Sequence, residues 1–243
     1  MKRLGSLLGL IALLLVSSLQ AAHAAAEKNV LVFGGAGNLG SEIVKELVRS
    51  GAKLTVFVKP STDRKRLAGL PVTYVEGDAR SDSDVKRAFA MAKFDVAINA
   101  LARRNGETNF WDRTQMSITA AAKETRVGEV VFLSSVGAGD SAAAYSPQAY
   151  EKARISLIER SKAEDDLRAS GLRYVIVRTG AVLGITTPAT GKARLTEDTT
   201  VLGPVTRPDL AKLVVDCVTD SRCANKTYHA TDDTLKIPVE RLN

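Results

Sequence analysis

Histidine and cysteine are almost missing. Two of each occur in 243 residues, too few for a Cys-rich zinc module or a His-based metal centre, so no metal site is expected. No internal repeat, low-complexity tract or long linker interrupts the chain, and no second domain is expected. The composition is 45% hydrophobic and 25% charged, with a mean hydropathy of −0.02. That balance excludes a disordered, collagenous or multi-span membrane protein. Lys and Arg outnumber Asp and Glu by 34 to 27, a formal charge of +7. A basic balance suits anionic ligands: phosphates, nucleic acid or a membrane surface. The basic residues are spread along the chain, and only Arg64-Lys65-Arg66 forms a run. A generally basic surface is therefore expected, and no nucleic-acid groove.

Acidic residues are absent before Glu27. Lys2-Arg3 precede an apolar run from Leu4 to Leu19, and Ala22-His23-Ala24 offers small residues at −3 and −1 of a cleavage site. This order predicts a secretory signal over residues 1–24, cleaved after Ala24 or, alternatively, Ala26. Export, in a periplasmic setting, follows from that reading. The competing one is an uncleaved membrane anchor, for which the run is short against the roughly 20 residues of a span. Once the signal is cleaved, no stable membrane insertion is expected.

From residue 27 to 243 strands and helices alternate. The runs Val30–Phe33, Leu54–Val58, Val72–Val75, Asp95–Ala100, Val130–Leu133, Tyr174–Val177 and Thr227–Ala230 read as strands. Between them lie helical patterns: Leu39 to Val48, a stretch capped by Asp82 or Asp84, Asp112 to Arg126, Gln148 to Ser170, and Pro208 to Val218. This predicts an α/β fold, a single Rossmann-like, doubly wound parallel sheet with helices on both faces. The irregular segment Gly184–Gly203 would hang over the ligand crevice, as a substrate lid or a plain surface loop.

The first strand ends in Gly34-Gly35-Ala36-Gly37-Asn38-Leu39-Gly40. Glycines 34, 37 and 40 follow a strand and open a helix. That is the context in which backbone approaches a pyrophosphate and a helix N-terminus supplies free N–H groups. The second strand ends at Lys59, where an NAD site would place Asp or Glu for the ribose diol, with Arg64 close behind. A cation suits a 2′-phosphate, so NADP (NADPH) is expected in preference to NAD.

The stretches VLVFGGAGNLGSEIVKEL, VEGDARSDSDV, DVAINALA, VVFLSSVGAG, SKAEDDLRASGLRYVIVRTGAVLG and TRPDLAKLVVDCV together resemble the short-chain dehydrogenase/reductase superfamily. The resemblance is to its atypical NAD(P)H-binding branch, which is NmrA-like or biliverdin/flavin reductase-like. It implies that Gly34, Gly37, Asn38 and Leu39 cradle the pyrophosphate, and that Lys59 stands beside the adenosine phosphate. It places Asp78 and Ala79 at the adenine. Asn99, Ala100 and Leu101 then line the cofactor, with Ser134 and Ser135 near the nicotinamide. The family's Tyr-x-x-x-Lys uses Tyr to protonate the substrate and Lys to hold the ribose. Counting back from Ser170-Gly171-Leu172 gives Lys162 at the Lys position and Ile158 at the Tyr position. Ile donates no proton, which leaves Tyr145 or Tyr150 as replacements. Lys162 and Ser135 stand as the catalytic candidates.

These readings point to an NADPH-dependent reductase of a small organic molecule, acting as a monomer or homodimer. The alternative is a cofactor-binding sensor or assembly factor without turnover. Cys217 and Cys223, six residues apart at the end of the last helix, fit a disulfide in an oxidising compartment. The alternative is two unrelated thiols.

Overall fold

The computed structural model describes residues 28–103 and 107–237. The leader expected over residues 1–24 lies outside the described residues. The described residues form ten strands and five α-helices in chain order. The strands are β1 (Asn29–Phe33), β2 (Lys53–Val58), β3 (Val72–Glu76), β4 (Val96–Asn99), β5 (Glu129–Ser135), β6 (Tyr174–Thr179), β7 (Ala181–Val182), β8 (Arg194–Thr196), β9 (Pro204–Val205) and β10 (Lys226–Thr231). The helices are α1 (Asn38–Arg49), α2 (Asp82–Phe89), α3 (Phe110–Glu124), α4 (Pro147–Ala169) and α5 (Arg207–Thr219).

Eight strands form one sheet in the order β3-β2-β1-β4-β5-β6-β10-β8, and β7 and β9 pair separately. All pairs in the large sheet are parallel except the last, where β8 runs antiparallel to β10. Both faces are covered, which is why the central strands are apolar throughout rather than alternating. Val30 and Val32 pack with Ile43, Val44, Leu210 and Val214 beneath α1 and α5. Leu31 and Phe33 pack with Phe89, Ile118, Phe132 and Leu167 beneath α2, α3 and α4. The strand order reverses between β1 and β4, so a crevice opens beyond their carboxyl ends.

Two local expectations change. The α2 cap is Ser81, whose hydroxyl accepts the Asp84 N–H; Asp82 and Asp84 fall inside the first turn. The segment Gly184–Gly203 is no free lid, because it contributes β8 to the sheet and is tied down at Thr190 and Gly191. Their N–H groups donate to the Asp209 carboxylate at 2.7 and 3.0 Å. Cys217 and Cys223 form a disulfide with a Cα separation of 5.4 Å. Among the described residues no helix is long and apolar enough to cross a membrane, and no group of metal-ligating side chains could hold an ion.

Candidate active site

A cleft of about 500 Å³ runs across the carboxyl ends of β2, β1, β4, β5 and β6. One wall is backbone. Gly34 adopts φ +79°, and a Cβ there would stand 2.6 Å from the Ala100 carbonyl oxygen, so only glycine lets the β1 turn meet the β4 turn. Gly37, Asn38 and Leu39 continue this wall into the first turn of α1, which carries no acidic residue. An uncompensated helix N-terminus is a seat for an anion. Gly40 lies behind the wall: a Cβ there would be 2.1 Å from the Gly34 carbonyl oxygen. It shapes the turn and lines nothing.

The far end of the cleft is charged. Lys59, Thr62, Asp78, Ala79 and Glu107 line it. Lys59 Nζ lies 3.7 Å from Asp78 Oδ2 and 3.6 Å from Glu107 Oε1. Hydrogen bonds from the Arg80 guanidinium hold the Asp78 carboxyl down at about 2. Arg64 is not in the cleft. It pairs with Glu76 and stacks over the Tyr74 ring, 4.7 Å from its centroid, and both partners belong to β3.

Ala100 and Leu101 line the cleft. Asn99 is buried and works from behind, its amide oxygen accepting the Leu101 N–H at 3.2 Å while its NH₂ donates to Gln115 at 2.8 Å.

Helix α4 overturns the assignment of Lys162. That side chain is exposed and lies outside the cleft, on a row shared with exposed Ile158. Arg160, two residues earlier, enters the cleft instead. Its Nη1 donates to the Leu133 carbonyl at 3.0 Å and its guanidinium lies 3.6 Å from the Trp111 ring centroid. Burial pulls its pKa down to about 10, and Arg103 adds to that pull, so it stays a cation at neutral pH. Four residues before it stands Ser156, whose hydroxyl accepts the Trp111 indole N–H at 3.1 Å.

The register was hidden because the buried face of α4 is polar. Leu157, Glu164 and Leu167 are buried, whereas Ile155 and Ile158 are exposed. Glu164 holds this face down. It accepts from the Ser134 hydroxyl at 2.6 Å and from Arg178 Nε and Nη2 at 3.0 and 2.7 Å. Ser134 lines the cleft, while Ser135 stands just beyond it and donates to the Val136 carbonyl at 3.0 Å. Sequence reasoning also missed Trp111, Arg103 and Arg207, all in the cleft wall. The spacing Leu157–Arg160–Glu164–Leu167 is the signal that would have found Arg160.

Beside the cleft lies a second cavity of about 330 Å³, lined by Tyr145, Ser146, Ala149, Gly180, Ala181, Leu202 and Ile237. Gly180 and Ala181 face it, whereas their neighbours Thr179 and Val182 face the cleft, so the segment 179–182 is a shared partition. Tyr145 is held firmly. Its ring packs against Gly137, where φ is +93° and a Cβ would stand 2.8 Å from two ring carbons. The short helix Gly139–Ala144 precedes it and the Ser146 cap of α4 follows it. Burial pushes the phenol up, and Ser135 and the Arg160 charge act against that push.

A glycine turn, an open helix N-terminus at the strand-order switch and a basic residue at the end of β2 define a Rossmann-type nucleotide cleft. Residues 34–221 match the NAD(P)H-binding family, and the chain belongs to it. Solved structures agree in fold. ChuY, an anaerobilin reductase from Escherichia coli O157:H7, superimposes with a TM-score of 0.77 at 23% identity, covering 86% of this chain and 100% of its own. A wide-type short-chain dehydrogenase/reductase from Veillonella parvula, in complex with NADP, gives 0.69 at 17% identity over 85% of this chain and 95% of its own. The Bordetella bronchiseptica enzyme WbmH, in complex with NAD+, gives 0.67 at 22% identity over 88% and 78%.

Proposed function

We propose that the protein is an NADPH-dependent reductase of a small carbonyl compound with an apolar body. One observation carries this reading: the cavity lined by Tyr145 shares the segment 179–182 with the cleft that Arg160 enters, so a phenol and a half-buried cation flank one partition. The residues present fit a dinucleotide, since Gly37, Asn38 and Leu39 present the first turn of α1, free of acidic side chains, to the cleft. When bound, the nicotinamide supplies the hydride. Gly37, Asn38 and Leu39 bind the pyrophosphate. Arg160 holds the ribose end and lends positive charge. The second cavity seats the apolar body of the substrate, and Tyr145 Oη gives the proton to the carbonyl oxygen, then recovers one from water. Lys59 supports the preference for NADPH.

Ser156, four residues before Arg160, favours a second reading, a cofactor-binding protein without turnover, because no acid stands at that helix position. One experiment separates them. The purified protein is mixed with NADPH and 9,10-phenanthrenequinone, and NADPH oxidation is followed. The reductase reading expects oxidation that falls by about 10²-fold or more in Tyr145→Phe, with NADPH affinity kept. NADPH binding without oxidation gives the second reading. Equal rates in both proteins remove Tyr145 from the chemistry.

We also propose that the protein is exported. The apolar leader supports this, and so does the Cys217–Cys223 bond, of a kind that persists in oxidising compartments.

A further inference from the structure

We propose that Glu107 sets the choice of cofactor by occupying the cationic seat at the adenosine end of the cleft. This rests on the nucleotide-binding reading above. Four charged groups meet there from three separate segments: Lys59 after β2, Asp78 and Arg80 after β3, and Glu107 on the loop between β4 and α3. Asp78 is satisfied by Arg80, whose Nη2 lies 2.8 Å from its Oδ2. Glu107 Oε1 lies 3.6 Å from Lys59 Nζ and 3.9 Å from Arg80 Nη1. Its side chain is 17% exposed, against 31% for Lys59, so the pair is partly shielded from water and weakly screened.

Among the described residues of this cluster, two cations therefore face two carboxylates. A 2′-phosphate brings close to two further negative charges. To engage Lys59 it must push the Glu107 carboxylate aside and then sit near it. A ribose diol makes the opposite demand, because its hydroxyls need acceptors, and carboxylates supply them. Lys59 alone would make a strongly NADPH-selective site. Lys59 clasped by Glu107 makes a site that also accepts NADH. Glu107 is thus a specificity-determining residue supplied from a different loop than the one where sequence reasoning looks for it.

The test is a binding titration that needs no substrate. Trp111 is the single Trp of the chain and lines the cleft, so its fluorescence reports dinucleotide binding. NADPH and NADH are titrated into the wild-type protein and into Glu107→Gln and Glu107→Ala. Both variants are expected to bind NADPH about tenfold more tightly and NADH no more tightly. The gain should shrink between about 0.02 and 0.5 M salt, since it is electrostatic. An unchanged NADPH-to-NADH ratio, an equal gain for both cofactors, or a gain indifferent to salt overturns the proposal. Failure of the wild-type protein to bind either dinucleotide overturns the nucleotide reading instead.

Discussion

Replacing Cys217 and Cys223 together by Ala should lower stability without touching the cleft. The bond closes a loop of about seven residues at the end of α5, for which chain entropy gives about 2 kcal/mol. The turn does not depend on the bond alone. Asp220 accepts the Arg222 N–H at 2.9 Å on its side chain and the Cys223 N–H at 3.0 Å on its carbonyl. The native geometry should therefore survive, and the loss should come mainly from the freer unfolded chain. For a domain of this size about 2 kcal/mol corresponds to a fall of about 4–8 °C in Tm. The cleft lies at the other end of the same helix. Arg207 lines it, and ten residues of helix put Cys217 about 15 Å away. Thermal melts of the oxidised, the dithiothreitol-reduced and the double-variant protein test the first half, and NADPH titrations of the same three samples test the second. A variant that melts with the wild type would refute the loop-closure estimate. A change in NADPH affinity beyond about threefold would refute the separation of bond and cleft.

Two other perturbations probe the turn and the pH response. Gly40→Ala should cost at least tenfold in NADPH affinity while circular dichroism stays native-like, because its Cβ would force the Gly34 carbonyl out of place; unchanged affinity would place the pyrophosphate elsewhere. His229 is 1% exposed, and burial lowers its pKa below the ordinary imidazole value. The unfolded chain therefore takes up a proton first as pH falls, and stability should drop from the ordinary imidazole range down through the folded value. Urea midpoints measured from about pH 7.5 to 5.5 should fall for the wild type and stay flatter for His229→Leu; parallel profiles would assign the acid loss to other groups.

The parallel sheet was legible because apolar runs recur from β1 to β6 with helical periods between most of them. The glycine wall was legible for a similar reason: backbone roles leave glycines at fixed spacing. Side-chain roles were harder to read. Lys162 and Arg160 are both basic residues of α4, and only the buried row through Leu157, Glu164 and Leu167 tells them apart. That row looks solvent-facing in sequence because Glu164 carries a charge, and its buried partner Arg178 lies on a distant strand. Arg64 failed for another reason, since Glu76 and Tyr74 of β3 reach it first. Strand β8 carries Arg194 and Thr196 at the sheet edge, where one flank needs no partner and polar residues are ordinary.

The two halves of the sheet do different work. Around β1 and β4 the cleft is made of main chain, so tolerance there is a matter of whether a Cβ fits: Gly34 and Gly40 accept nothing larger. Around β5 and β6 it is made of side chains whose positions depend on a buried ionic network. Glu164 ties Ser134 on β5, Arg178 on β6 and Arg168 on α4 into one unit, and Arg178 extends it to Asp140 in the short helix before Tyr145. Arg160 and Tyr145 are thus aimed from a common foundation, although they come from different segments. A buried ion pair adds little net stability over an apolar one, but breaking it strands a charge. Its value here is positional: the network fixes the face of α4 that carries Arg160 and the loop that carries Tyr145, so the cation in the cleft and the phenol in the cavity flank one partition.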